Sequence, residues 1–483
     1  MKHIAMIASA ILIAPHALAQ EHDHSTHDNQ PPAAEQPPAE TDDHSQHMQD
    51  HSGHSGMNHS GMDHGNMDHS QMDHSKMDHA NMDHSTHNGD HGAMPSALGA
   101  YPMSRDASGT AWQPDAASHG GLHYTLPGSN WTGMVHATID GVYSWQDGPR
   151  GDELGFVAGM IMGSLRGDLG PGQLQLRGMV SPDPLMGKRG YPLLLAAGET
   201  ADGVEPLVDR QHPHDFFMEL SASYSLALSD KDSVFVYAGL PGEPAFGPPA
   251  FMHRPAAMVT PEAPITHHWL DSTHITFGVI TAGWVHDNFK IEASRFRGRE
   301  PDEDRWDIET GELDSTSVRL SWNPTQNWSL QASWADVTSP EQLDPDIDAT
   351  KYSVSALYTG EFEGGEVSFT GAFARKDTSE DVSLDAWLGE AAYRPGFGPW
   401  TIFSRFEAIE TDELGDHVAH GHHGPIEDVM RLSLGASHDF RLSDDVTLVL
   451  GASLTQNWTS GELSPLYDGD PMGALAFVRL KIG

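Results

Sequence analysis

From Trp131 to the end of the chain, segments recur in which apolar and polar residues alternate with a period of two. No apolar stretch there reaches the roughly 20 residues that a membrane-spanning helix needs. Val318, Leu320 and Trp322 alternate with Ser317, Arg319 and Ser321; Trp328, Leu330, Ala332 and Trp334 alternate with Ser329, Gln331 and Ser333. Tyr352, Val354, Ala356 and Tyr358 follow the same rule, as do Met430, Leu432, Leu434 and Ala436. Each segment of about ten residues has one apolar and one small-polar face, with aromatics near its ends. That is the pattern of a strand in an outer-membrane barrel.

The connections sharpen the prediction, because short and long links alternate. Short turns fall at 167–172, 229–233, 287–288, 323–327, 364–365, 395–399 and 441–445. Long links fall at 182–215, 241–273, 298–314, 338–349, 377–384, 411–429 and 459–473, and the link 146–152 is short although it lies on the long-loop side. The expected fold is therefore all-β, a transmembrane antiparallel β-barrel of about 16 strands within a range of roughly 12–16. An even count places both chain ends on the short-turn, periplasmic side. A soluble sandwich would also show turn-bounded alternating strands, but it would not need loops sorted by side. The final residue, Gly483, departs from the aromatic ending common in outer-membrane barrels.

The first 130 residues follow no such rule. Met1 to Ala19 has Lys2, an apolar run from Ile4 to Ala14 and Ala17-Leu18-Ala19, as a secretory signal does. Residues 20–130 are expected to form a disordered arm and linker, since few aliphatic side chains are available to offset chain entropy. Within it a five-residue unit repeats six times, setting Met57, Met62, Met67, Met72, Met77 and Met82 two places before His59, His64, His69, His74, His79 and His84. Thioether favours Cu(I) and imidazole also accepts Cu(II), so the alternation suits copper, with silver or zinc as alternatives. Cleavage after Ala19 would put His22 third in the mature chain, where an amine, two amides and an imidazole can make a square-planar Cu(II) site.

Cysteine is absent, which suits an exported protein that handles a redox-active metal. The formal net charge of −43 excludes nucleic acid as a partner and favours cations. The metal-binding candidates in the barrel, residues 131–483, lie in its long links. His212 and His214 share a parity within Asp209-Arg210-Gln211-His212-Pro213-His214-Asp215. The second stretch runs from Phe251-Met252-His253-Arg254 to His267-His268-Trp269, Asp271 and His274. His212, His214, His267, His268 and His274 either bind metal or satisfy backbone groups in a packed loop. A looser group is His417, His420, His422 and His423. Arg295, Arg297, Arg299 and Arg305 stand among acidic residues, either as a solvated network or as an inward eyelet.

The units Met72-Asp73-His74-Ser75 and Met82-Asp83-His84-Ser85 resemble the N-terminal region of the bacterial copper-resistance protein B family. The resemblance covers roughly residues 1–95 and the general architecture. It implies an outer-membrane barrel with a Met/His-rich periplasmic extension, associated with copper tolerance. The barrel itself, including Arg210-Gln211-His212-Pro213-His214-Asp215-Phe216, is more similar to exported bacterial proteins of uncharacterised function. The function expected is binding of periplasmic copper by the arm, with export through the barrel. The expected partners are metal ions, outer-membrane lipid and periplasmic copper-handling proteins. A barrel-anchored buffer without transport, or a membrane hydrolase using loop His and Asp residues, are the alternatives. No catalytic motif marks the chain as an enzyme.

Overall fold

A computed structural model describes residues 94–118, 120–415 and 424–483. His22, the six Met/His pairs of the arm and His417, His420, His422 and His423 lie outside the described residues.

Strand β1 (Leu122–Thr125) adds a short hairpin to the start of β2 (Thr132–Gln146). The wall continues through β3 (Glu153–Leu169) and β4 (Gly172–Val180). The next loop carries its own two-stranded hairpin, β5 (Tyr191–Thr200) with β6 (Pro206–Gln211). The wall resumes at β7 (Phe217–Ala227), β8 (Asp232–Gly239), β9 (Val279–His286) and β10 (Phe289–Phe296). It runs on through β11 (Ser315–Thr325), β12 (Trp328–Val337), β13 (Ala349–Phe362) and β14 (Gly365–Thr378). The last strands are β15 (Ser383–Arg394), β16 (Trp400–Thr411), β17 (Glu427–Arg441), β18 (Val446–Trp458) and β19 (Met472–Ile482).

Every wall strand pairs antiparallel with the next, and β19 pairs with β2 from Gly473↔Gln146 to Ile482↔Ala137. The sheet thus closes into a barrel of sixteen strands, β2–β4 and β7–β19. Closure removes every edge and rules out a two-sheet sandwich. The short turns all fall at one end. At 363–364 the positive φ of Glu363 (48°) and Gly364 (77°) gives the tight hairpin geometry that matches strand twist.

The outward face is apolar and ringed twice by aromatics. Trp284, Trp322, Trp328, Phe362 and Trp400 are exposed near the short-turn end, and Tyr143, Trp145, Trp334, Tyr352 and Trp387 near the loop end. Val354, Ile402, Leu434, Leu454 and Val478 are exposed on the same outer surface. Such surface is unfavourable in water and suits a bilayer bounded by two interfaces. The chain is an outer-membrane-type barrel.

Inside, the wall is charged and filled. Loop 240–278 folds into the lumen and is tied to the wall on several sides. Arg254 makes a paired contact with Glu390 of β15 at 3.0 and 2.9 Å. Ala245 N donates to Ser294 of β10 at 2.8 Å, Thr266 N donates to Glu407 of β16 at 3.0 Å, and Glu262 meets Arg431 of β17 at 2.7 Å.

Residues 94–117, expected to be linker, also pack in the lumen. Ser225 and Ser233 donate to the carbonyls of Ala97 and Leu98, Asn323 donates to that of Gln113, and Lys290 Nζ lies 4.9 Å from the centre of the Trp112 ring. The linker boundary expected at residue 130 is therefore too late. Leu98, Tyr101 and Trp112 pack there with Phe235 and Val285 of the wall.

Candidate functional site: a histidine cluster in the lumen

Two loops deliver the site. Pro213 has no N–H to continue the ladder beyond β6, so the chain leaves the strand at His212 and turns inward. The second loop contributes one helical turn, His267–Leu270, followed by another, Ser272–His274. The five histidines singled out in the sequence meet there. Ring centres lie 5.9 Å apart for His212–His267 and His212–His268, and 5.4 Å apart for His267–His268. The centres of His267 and His274 are 5.1 Å apart, and those of His214 and His274 are 5.3 Å apart.

The surroundings fix the tautomers. Carboxylate and carbonyl oxygens accept only, so a ring nitrogen facing one carries the proton. His214 Nδ1 donates to Asp183 at 2.8 Å, His267 Nδ1 to the Asp271 carboxylate at 2.9 Å and His274 Nδ1 to the Asp271 carbonyl at 2.6 Å. Asp271 is held in turn by Arg254 Nη1 at 2.8 Å and by the Phe251 amide at 2.9 Å. A continuous chain therefore runs from the wall residue Glu390 through Arg254 and Asp271 to two imidazoles.

The opposite nitrogens are free to act. Nε2 of His214 and of His274 is buried without a hydrogen-bond partner in the protein. His212 Nε2 is 3.2 Å from Glu199 but lacks hydrogen-bond geometry. A buried acceptor left unsatisfied costs about 1–3 kcal/mol, so such atoms call for an explanation. An imidazole anchored through Nδ1 with a bare Nε2 has the arrangement of a metal ligand and its supporting shell.

Electrostatics favour the neutral, ligating form. Burial first, then the positive charge of Arg305 and neighbouring imidazoles, holds His212 well below the usual imidazole value. Burial followed by His267 does the same to His268 and His274. Burial pushes Glu199 up to about 8 and Asp215 up to about 6, against the opposing pull of Arg305. Asp271 is lowered despite its burial, by Arg254 and then His267.

Two imidazoles sharing one tetrahedral ion would have ring centres about 5 Å apart at ordinary metal–nitrogen distances, close to the spacings seen here. Among the described residues, however, no three His or acidic side chains are already converged to hold an ion. Completing a site requires ring rotation or a donor of another kind.

The argininine-rich link resolves unevenly. Arg305 turns inward between Glu199 and Asp215, as an eyelet would require. Arg297 instead pairs with Glu309 at 2.7 Å, and Arg299 donates to the Ser339 carbonyl at 2.7 Å. Asp183, Glu199 and Glu390 carry no sequence signal that sets them apart: Glu390 shares its strand with Asp385 and Arg394.

No family model and no curated protein matches the chain. Similar solved structures include Pseudomonas putida OprB, with 10% identity and TM-score 0.48 over 72% of this chain and 94% of that one. Salmonella typhi OmpF, in complex with daunomycin, has 8% identity and TM-score 0.46 over 75% of this chain and 100% of that one. An anion-selective porin from Comamonas acidovorans has 11% identity and TM-score 0.43 over 73% and 100%. These are distant likenesses of barrel architecture and say nothing of the lumen's chemistry.

Proposed function

We propose that the protein is an outer-membrane copper-handling barrel. Its Met/His arm collects copper on the periplasmic side, and its luminal histidines hold the ion on an outward route. The observation that carries this reading is the meeting of five loop histidines in the lumen, with Nε2 of His214 and His274 buried and unpartnered. Isolated packing histidines would normally use both nitrogens. The cluster lies in the lumen, where a transported ion has to pass. Because two segments fill that lumen, the barrel works as a gated or stepwise carrier rather than an open pore. The same filling favours a second reading, in which the barrel anchors a metal buffer and exports nothing.

Titration of the intact protein in detergent with Cu(II) and Zn(II) tests the first reading. The triple variant His212→Ala, His214→Ala, His274→Ala is expected to lose the class of sites that still binds at about pH 5.5, where ordinary imidazoles are protonated. Unchanged stoichiometry and affinity at that pH in the triple variant would remove the cluster from the account.

A further inference from the structure

The lumen holds a second collection of soft donors, separate from the five histidines. At the short-turn end a cavity of about 300 Å³ is lined by Met134, His136, Met162, Met252, His253 and Met258, among others. Met134 and His136 share the parity of the luminal residue Asp140 on β2, and His136 stands opposite Met162 of β3 in the strand register. Met252, His253 and Met258 come from the plug loop, and the His136 and His253 rings are 6.4 Å apart. Wall and plug thus face each other across the cavity with the same two side-chain types.

Methionine commonly fills irregular apolar cores. Met162 and Met252 do pack against the buried Met160, Met179, Met218 and Ile275, but Met134 and Met258 belong to no such cluster among the described residues. The luminal wall elsewhere uses Ser, Thr and buried ion pairs such as Arg479–Asp140 and Arg319–Glu292. The cavity also carries Glu366, Arg394 and Lys481, so it is not an apolar void to be stoppered. Beyond the cavity the thioethers continue. Met160, another lining residue, packs with Met179, Met218 and Ile275, and Ile275 follows His274 directly in the chain. A run of sulfurs therefore leads from the short-turn end towards the histidine cluster.

We infer that this cavity is a binding site for a soft monovalent d10 ion, Cu(I) or Ag(I), held by Met134, Met162, Met252 and Met258 with His136 and His253. Thioether sulfur selects such ions over Zn(II), whereas imidazole nitrogens such as those of the histidine cluster suit Cu(II) or Zn(II). Met94, the first described residue, lies near the same end, with its sulfur 3.6 Å from Arg166 Nη2. The Met/His repeats lie upstream of it in sequence and carry the same two side-chain types. The inference deepens the proposed copper function and rests on it for its biological meaning, but not for its measurement.

Ag(I) is the probe, because it needs no reductant. Anomalous diffraction from crystals of the intact protein exposed to Ag(I) should place silver between the β2–β3 wall and the plug, within bonding distance of Met134, Met162 or Met252. In parallel, a Met134→Leu, Met162→Leu, Met252→Leu variant, chosen to preserve volume, should lose one tight Ag(I) equivalent. His212→Ala/His274→Ala should retain it. Silver in the arm alone, with no anomalous density in the cavity, overturns the site whether or not the leucine variant folds. Retention of the cavity silver together with failure of the histidine variants to alter Cu(II) binding would instead overturn the cluster and leave this site standing.

Discussion

At the scale of single residues, Asp271 and Asp183 organise the site. Asp183 accepts the Nδ1 proton of His214 and the Asp271 carbonyl that of His274, which leaves Nε2 of both rings unpartnered; the Asp271 carboxylate fixes His267 in the same way. Supporting partners of this kind typically carry about 10–100-fold in metal affinity. Asp183→Asn should therefore weaken Zn(II) binding at the cluster by that factor while the barrel remains folded, since Asn keeps the oxygen that accepts from the Gly159 amide. Isothermal titration reads the change, and an unchanged affinity would mean that His214 only packs. Burial lowers His212, His268 and His274 relative to free imidazole. The unfolded chain thus takes up protons first, so the stability these groups permit is complete above about pH 6.5 and declines as pH falls below it. For the same reason, any metal binding at the cluster is expected to survive acidification further than binding by solvated imidazoles, as titration at about pH 5.5 would read. The five histidines were legible because they crowd two short stretches. Glu390 and Asp183 were not, because their partners are 136 and 31 residues away in sequence and only the closed barrel brings them together.

At the scale of elements, the alternation and the sorted loop lengths were enough to read the barrel. Period two fixes which face each residue takes, and every expected link from 146–152 to 459–473 corresponds to a connection of the closed sheet. What alternation could not convey is the inside. A luminal wall and a water-facing wall are both polar, so the strands are silent about what fills the space between them. Residues 94–117 illustrate this: Trp112, Arg105 and Lys290 form one packed group, yet the segment has no strand or helix period to announce it. Removing residues 94–117 takes away the acceptors that Arg177, Lys290 and Asn323 now use. We expect a larger single-channel conductance in planar bilayers for that deletion than for the intact protein. Equal conductance would show that the segment does not limit passage.

At the scale of the whole molecule, the barrel holds a Met/His cavity at the short-turn end and a histidine cluster elsewhere in the lumen, and the sequence of the arm repeats the same two residue types. The excess of 69 acidic over 26 basic residues favours cations throughout. The arm repeats pointed to copper from sequence alone, whereas the cavity was hidden because its methionines come from strands and a plug loop far apart in the chain. If the proposal holds, luminal histidines and arm serve one metal. Growth under graded copper tests it most directly, in four strains carrying the intact gene, a complete deletion, a deletion of residues 20–93, or the triple substitution of His212, His214 and His274. Both partial variants should be more sensitive than the intact strain, and neither should replace the other. Full tolerance in the triple variant, with the protein present at normal levels in the outer membrane, would contradict the proposal.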